Sequence, residues 1–235
     1  MADIQGFLQR LSINLIPLLI AITFHEAAHG WVAYKKGDPT AKMLGRVTLN
    51  PLAHIDPFGT ILLPIMCLFF GGGVFGYAKP VPVNFRLLRD QKRDPIYVAF
   101  AGVVTNLALA AFSGILLGAI GFLDPATVMK IRALGMRAQA YGTLQTALIP
   151  LALMCVESVK WNVVLAIFNL IPIPPLDGGR IAVGLLPHGP SQALASVERY
   201  GMLILIALLF LDPFGIIWRI IAPIIHFLNR MFLGG

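Results

Sequence analysis

Leu11 to Tyr34 reads LSINLIPLLIAITFHEAAHGWVAY. These 24 residues would make about 36 Å of helix at 1.5 Å per residue, enough to cross the hydrocarbon core of a bilayer. Glu26 is the only formal charge within them. A secretory leader has a basic start, a short apolar stretch and a small-residue cleavage site. This run is longer, is interrupted by polar residues and ends at Lys35-Lys36, so it is expected to stay in the mature protein.

The rest of the 235 residues agrees with that reading, being 57% hydrophobic and only 12% charged. Soluble domains carry about 25% charged residues, so an ordinary soluble globule is excluded. The net charge of +7, from 18 Lys and Arg against 11 Asp and Glu, does not point to nucleic acid, because no polar segment interleaves basic residues with aromatics. It reads as loop charge on the inner side of a membrane. Cys67 and Cys155 lie far apart in apolar stretches, so neither a disulfide framework nor a multi-cysteine metal site is expected.

Working outward, Pro95 to Leu123 has no charge and predicts a second span. Thr143 to Ile171 predicts a third, with Glu157 and Lys160 three apart and placed to neutralise each other on one helical face. Ala193 to Leu211 and Phe214 to Phe232 flank Asp212-Pro213, a dipeptide suited to a tight turn, and predict a terminal helical hairpin. Phe58 to Val74 is apolar but short, contains Pro64 and runs through Gly71-Gly72-Gly73 to Lys79-Pro80-Val81-Pro82-Val83. It reads as a short span or a re-entrant element. The expected fold is therefore an all-α polytopic membrane protein of about five to six transmembrane helices, with a small re-entrant or β-hairpin element between the first two long spans. One membrane-embedded domain is expected over 1–235, with a core of about 11–187 and a C-terminal hairpin of about 193–233.

The first span carries His25-Glu26-Ala27-Ala28-His29. Helical residues four apart lie about 6 Å apart along the axis on nearly the same face, so two imidazoles can reach one ion while the glutamate flanks it. The chain's composition gives roughly 0.001 chance matches to this pattern over its length. Ionisable residues inside a span are costly unless they serve a site.

A catalytic zinc takes three protein ligands and keeps a position open. Asp177 is the candidate third ligand, in Asn169-Leu-Ile-Pro-Ile-Pro-Pro-Leu-Asp177-Gly-Gly-Arg180. Pro172, Pro174 and Pro175 break the preceding helix, and Gly178 and Gly179 are expected to let the backbone pass close to another helix. Broken backbone at membrane depth is tolerated where it is buried in protein or lines a polar cavity.

With those motifs in place, the chain resembles the site-2 protease family of intramembrane zinc metallopeptidases. The likeness rests on the His25-Glu26-xx-His29 helix, on Asn169 eight residues before Asp177, and on Ala-Gly-Val-Val-Thr-Asn at 101–106. The resemblance implies that His25, His29 and Asp177 bind one Zn2+, that Glu26 acts as general base, and that Asn169 helps hold substrate or the oxyanion. No PDZ or CBS module is recognisable, so a minimal, core-only member is expected.

Topology constrains the rest. If 58–74 crossed the membrane, the next two spans would leave Asp177 at the face opposite the histidines, so a re-entrant or β-hairpin reading is favoured there. Loops 35–57 and 77–94, with four and five Lys/Arg, then share the cytosolic side against three in 124–142. The site is expected in the cytosolic half of the cell membrane. The partners are the lipid bilayer and a membrane-protein substrate whose transmembrane helix must unwind before attack; the residues set no oligomeric state. Val81 and Val83 are expected to pair with the unwound peptide as an added strand.

His54, in a loop, is read as structural or solvated rather than catalytic, His188 and His226 as interfacial and surface residues, and Arg180 as near Asp177 or an interfacial anchor. Two other functions compete. A metal transporter would use the His/Asp cluster in transit, with Glu26 as one more ligand. A non-cutting scaffold is disfavoured by the presence of all four catalytic residue types.

Overall fold

The structure, a computed structural model, describes residues 2–62, 78–135, 142–201, 203–204, 207 and 215–234. Among them every regular element is helical and no strand occurs. Among the described residues three helices are long and apolar enough to cross a membrane. They are Leu8–Lys35 within α1 (Ala2–Lys35), α3 (Asp94–Leu123) and α5 (Thr143–Asn169). Short helices fill the connections: α2 (Thr40–Met43), α4 (Pro125–Leu134), α6 (Asp177–Leu185) and α7 (His188–Val197). The last helix is α8 (Ile216–Leu233). Of the doubtful segment 58–74, residues 58–62 belong to a π-helical turn, Pro57–Leu62, and the remainder, with Cys67, lies outside the described residues. So does the Asp212-Pro213 turn.

The chain divides into two compact units. The first comprises 1–21, 103–171 and 200–235. Its core joins Ile13 of α1, Leu117 and Ile120 of α3, Ile131 of α4, and Ile149, Ala152, Leu153 and Cys155 of α5. A second cluster packs Ile221 and Ile225 of α8 against Ala110, Val159 and Val163. Apolar packing alone discriminates poorly between helix partners in lipid, and polar side chains supply the register. Asn106 Nδ2 donates to Ala21 O at 3.2 Å and to Asn162 Oδ1 at 2.8 Å. Asn162 Nδ2 donates in turn to Ser158 O at 2.8 Å, and the Ser158 hydroxyl meets Ser113 at 2.8 Å. Both asparagines are fully buried. Arg132 Nη2 donates to Leu233 O and Gly234 O, closing the C-terminus of α8 where unpaired carbonyls gather. Glu157 and Lys160 pair at 2.7 Å, as their spacing predicts.

The second unit comprises 22–102 and 172–199. Here α1 ends at Lys35 and the chain reverses through Gly37, whose φ of +114° a side chain would resist. The buried Asp38 carboxylate fixes that reversal by accepting from Thr40 N and, 2.6 Å away, from Asn84 N. Lys36 pairs with Asp94 at 2.9 Å, tying the end of α1 to the start of α3. In the loop just before α3, the Arg93 and Lys92 main-chain N–H groups hold the exposed Asp90 carboxyl below the usual carboxylate range. Ala33, Leu88 and Val98 make the unit's small apolar core.

Candidate metal centre

In the second unit, His25 and His29 stand one turn apart on α1, and Asp177 is the first residue of α6. The prolines before α6 end the preceding helix and the chain restarts at Asp177, as the sequence pattern predicts. Gly179 is the close approach within that turn, and its neighbour is the turn's own backbone. A Cβ on it would collide with Pro174 N and Ile173 C, so the tight packing expected against another helix is made here against residues 173–174.

The three side chains converge. His25 Nε2 lies 3.2 Å and His29 Nε2 3.3 Å from Asp177 Oδ2, and the two Nε2 atoms are 3.0 Å apart. Both histidines are buried, with the rings edge to face. His29 Nδ1 lies 2.7 Å from Val98 O; a carbonyl can only accept, so Nδ1 carries the proton and neutral His29 turns a lone pair at Nε2 toward the cluster.

These positions fit a zinc ion. Tetrahedral coordination with bonds of about 2.0–2.1 Å puts ligand atoms about 3.3–3.4 Å from one another, and the three separations are 3.0, 3.2 and 3.3 Å. Asp177 Oδ2 is buried with only the two imidazole Nε2 atoms facing it, a costly condition for a carboxylate unless a cation joins them. Among the described residues, this is the one group of three or more His, Cys, Asp or Glu side chains placed to hold an ion. Two imidazoles and one carboxylate are the donor set of a catalytic zinc.

The other expected residues fall as follows. Glu26, half-buried beside His25, accepts a 2.8 Å hydrogen bond at Oε2 from the main-chain N–H of Val81. The Val81 side chain is buried and packs at Gly30, where a Cβ would stand 3.0 Å from Val81 Cγ1. Val83 is half-buried and, like residues 78–84 generally, lies in no helix. Asn169 closes α5 in the first unit, its amide donating to Leu165 O at 3.0 Å. His54 is buried with Nε2 donating to Thr48 O, a structural placement; His188 and His226 are exposed. Arg180 pairs with Glu198 at 3.1 Å and lies over the Phe85 ring.

Sequence reasoning missed two contributors. The Val98 carbonyl has no signature, since a main-chain oxygen is common to every residue. Gly102 does sit in the quoted stretch 101–106, but nothing in the pattern says that it faces the histidines. A Cβ there would lie 2.5 Å from His25 Cε1 and 2.6 Å from His29 Nε2.

Comparison with known proteins accords with this chemistry. The sequence model of Peptidase family M50 matches residues 13–211. The chain is 39% identical over 206 residues to the "Putative zinc metalloprotease YwhC" of Bacillus subtilis, covering 87% of this chain and 83% of that one. It is 31% identical over 195 residues to the "Putative zinc metalloprotease Rip2" of Mycolicibacterium smegmatis, covering 81% and 64%. The protein of the same name from Mycobacterium tuberculosis H37Rv is 29% identical over 208 residues, covering 85% and 69%. No solved structure matches the chain.

Proposed function

We propose that this chain, which belongs to peptidase family M50 and is a zinc metalloprotease with apolar membrane helices, hydrolyses peptide bonds within or near the transmembrane segments of membrane-protein substrates. The observation that carries the reading is the convergence of His25, His29 and Asp177 beside Glu26 in a helix long and apolar enough to span. His25, His29 and Asp177 would hold the ion. Zinc bound there supplies Lewis acidity, which lowers the pKa of water and polarises a carbonyl oxygen.

The chain's own residues do the remaining work. Glu26 takes a proton from the attacking water as its oxygen bonds to the scissile carbonyl carbon. It then delivers that proton to the amide nitrogen as the C–N bond breaks. Because Oε2 is held by Val81 N–H, Oε1 is the oxygen that carries the proton. Asn169 holds substrate or the oxyanion, and its present bond to Leu165 O would be exchanged for that contact. A peptide bond in an intact helix has its carbonyl hydrogen-bonded and shielded, so the substrate unwinds before attack. The non-helical 79–84 segment, through Val81 and Val83, then pairs with it as an added strand. The site opens toward the cytosolic half of the cell membrane, on the side of the more basic loops.

A transporter is the weaker reading, because Glu26 is engaged with a main-chain N–H and is no member of the ligand triad. The deciding experiment uses detergent-purified protein and Glu26→Gln, with bound metal quantified and cleavage of single-span membrane peptides followed by mass spectrometry. About one zinc in each, with cutting only by the wild type, is expected. Zinc movement across proteoliposomes by both proteins, without cleavage, would replace protease with transporter.

A further inference from the structure

We propose that Arg46 is a positioning residue for the reaction, acting through the backbone of residues 79–81 to hold the Glu26 carboxylate. The inference rests on the reading of Glu26 as proton carrier. Its basis is the accounting of main-chain groups along this short stretch. Lys79 N donates to His54 O at 3.0 Å. Lys79 O accepts from Arg46 Nη2 at 2.8 Å, and Pro80 O receives the same nitrogen at 3.4 Å. Pro80 has no N–H. Val81 N donates to Glu26 Oε2 at 2.8 Å. Every main-chain polar group from Lys79 N to Val81 N is thus engaged, and the final partner is the proton carrier itself.

The anchors are firm. His54 is buried, its ring donates to Thr48 O, and its short 3-10 turn, Pro51–His54, starts at Asn50, whose side chain accepts from Leu52 N. On the other flank Val81 packs on Gly30, one helical turn beyond Glu26, so closely that a methyl group there would fit only if Val81 gave way by a few tenths of an ångström. Arg46 supplies the clamp's side-chain donor, and its rigid, permanently ionised guanidinium suits paired carbonyls better than a flexible ammonium. Without it the Lys79 and Pro80 carbonyls lose their donor and the segment loses its register. The Val81 N–H then drifts from Oε2, leaving Glu26 free to rotate away from the reacting atoms. A misplacement of about 1 Å at a reacting group can cost about 100-fold in rate.

This assigns Val81 a task distinct from substrate pairing. The Val81 N–H is given to Glu26, so in the proposed added strand Val81 can offer its carbonyl alone and Val83 carries the rest of the pairing.

The test compares Arg46→Ala, Arg46→Lys and Val83→Pro with the wild type, reading zinc content, kcat and KM separately. Arg46→Ala is expected to keep about one zinc and to lose about 10- to 100-fold in kcat with little change in KM. Arg46→Lys should recover part of the loss, whereas Val83→Pro should raise KM. Amide hydrogen exchange gives a readout independent of cleavage: the Val81 N–H should exchange slowly in the wild type and fast in Arg46→Ala and in Glu26→Ala. An unchanged kcat in Arg46→Ala, a rise confined to KM, or zinc loss from both Arg46 variants would overturn the proposal. So would a slow Val81 amide in Arg46→Ala, whatever the activity. Failure of the Glu26 reading shows differently, as full cleavage by Glu26→Gln with the exchange pattern intact.

Discussion

Gly102 faces His29 across a gap that only a glycine leaves open: a Cβ at 102 would stand 2.6 Å from His29 Nε2, the atom that points at Asp177. Helix α3 therefore passes His25 and His29 at backbone distance. Gly102→Ala should leave the apolar helices inserted but push the imidazoles apart, lowering zinc affinity by at least 10-fold, in the range that disturbance of a ligand's supporting contacts produces. Equilibrium dialysis with a competing chelator measures it, and unchanged affinity would show that the ring moves aside freely.

Gly179 makes the matching prediction from the other ligand. A side chain at 179 meets the backbone of Ile173 and Pro174, which cannot rotate away as a side chain can, so Gly179→Ala must shift the start of α6 and Asp177 with it. Zinc content should fall although 179 contributes no ligand atom. Full retention in purified protein would contradict the geometry.

Removing the metal should destabilise the fold around it. Asp177 Oδ2 is buried among the two imidazoles, and a cation is what relieves the crowding of donor atoms there. A chelator should lower the thermal midpoint in detergent, and zinc at 100 times its Kd should restore about 2.7 kcal/mol. The Asp177→Ala protein should show little zinc-dependent shift in the same scan.

Asn106 makes a different kind of prediction because its network lies in the other unit. Asn106→Leu removes the donor to Ala21 O and to the buried Asn162 Oδ1. Stability should fall by about 1–2 kcal/mol, read from reversible unfolding in detergent, with zinc content unchanged.

The long helices were legible because an uninterrupted apolar run leaves few alternatives. The runs 95–123 and 143–171 became Asp94–Leu123 and Thr143–Asn169. The first helix extends further toward the N-terminus than the apolar count indicates, to Ala2, because polar residues such as Gln5, Gln9 and Arg10 do not stop a helix once it has started. The His/His/Asp cluster was legible for a related reason: His25 and His29 announce themselves by spacing, and Asp177 by standing beside a proline break. What the sequence hid were relations carried by backbone rather than side chains. The Val98 carbonyl sets a histidine tautomer, residues 173–174 press on Gly179, and Val81 spends its N–H on Glu26. Their residue types carry no mark of these tasks, since any amino acid offers a carbonyl and nearly any offers an N–H. For His54 the sequence left structural and solvated readings open, and its burial with Nε2 on Thr48 O shows the structural one.

The ligands also carry a biosynthetic consequence. Both histidines stand on α1, whereas Asp177 opens α6, which in chain order follows the three long apolar helices found among the described residues. A partly synthesised chain holds two imidazoles and the glutamate but not the carboxylate that completes the cage. On the proposed ligand set, a chain made only as far as α5 therefore lacks the carboxylate, and tight zinc binding waits on α6.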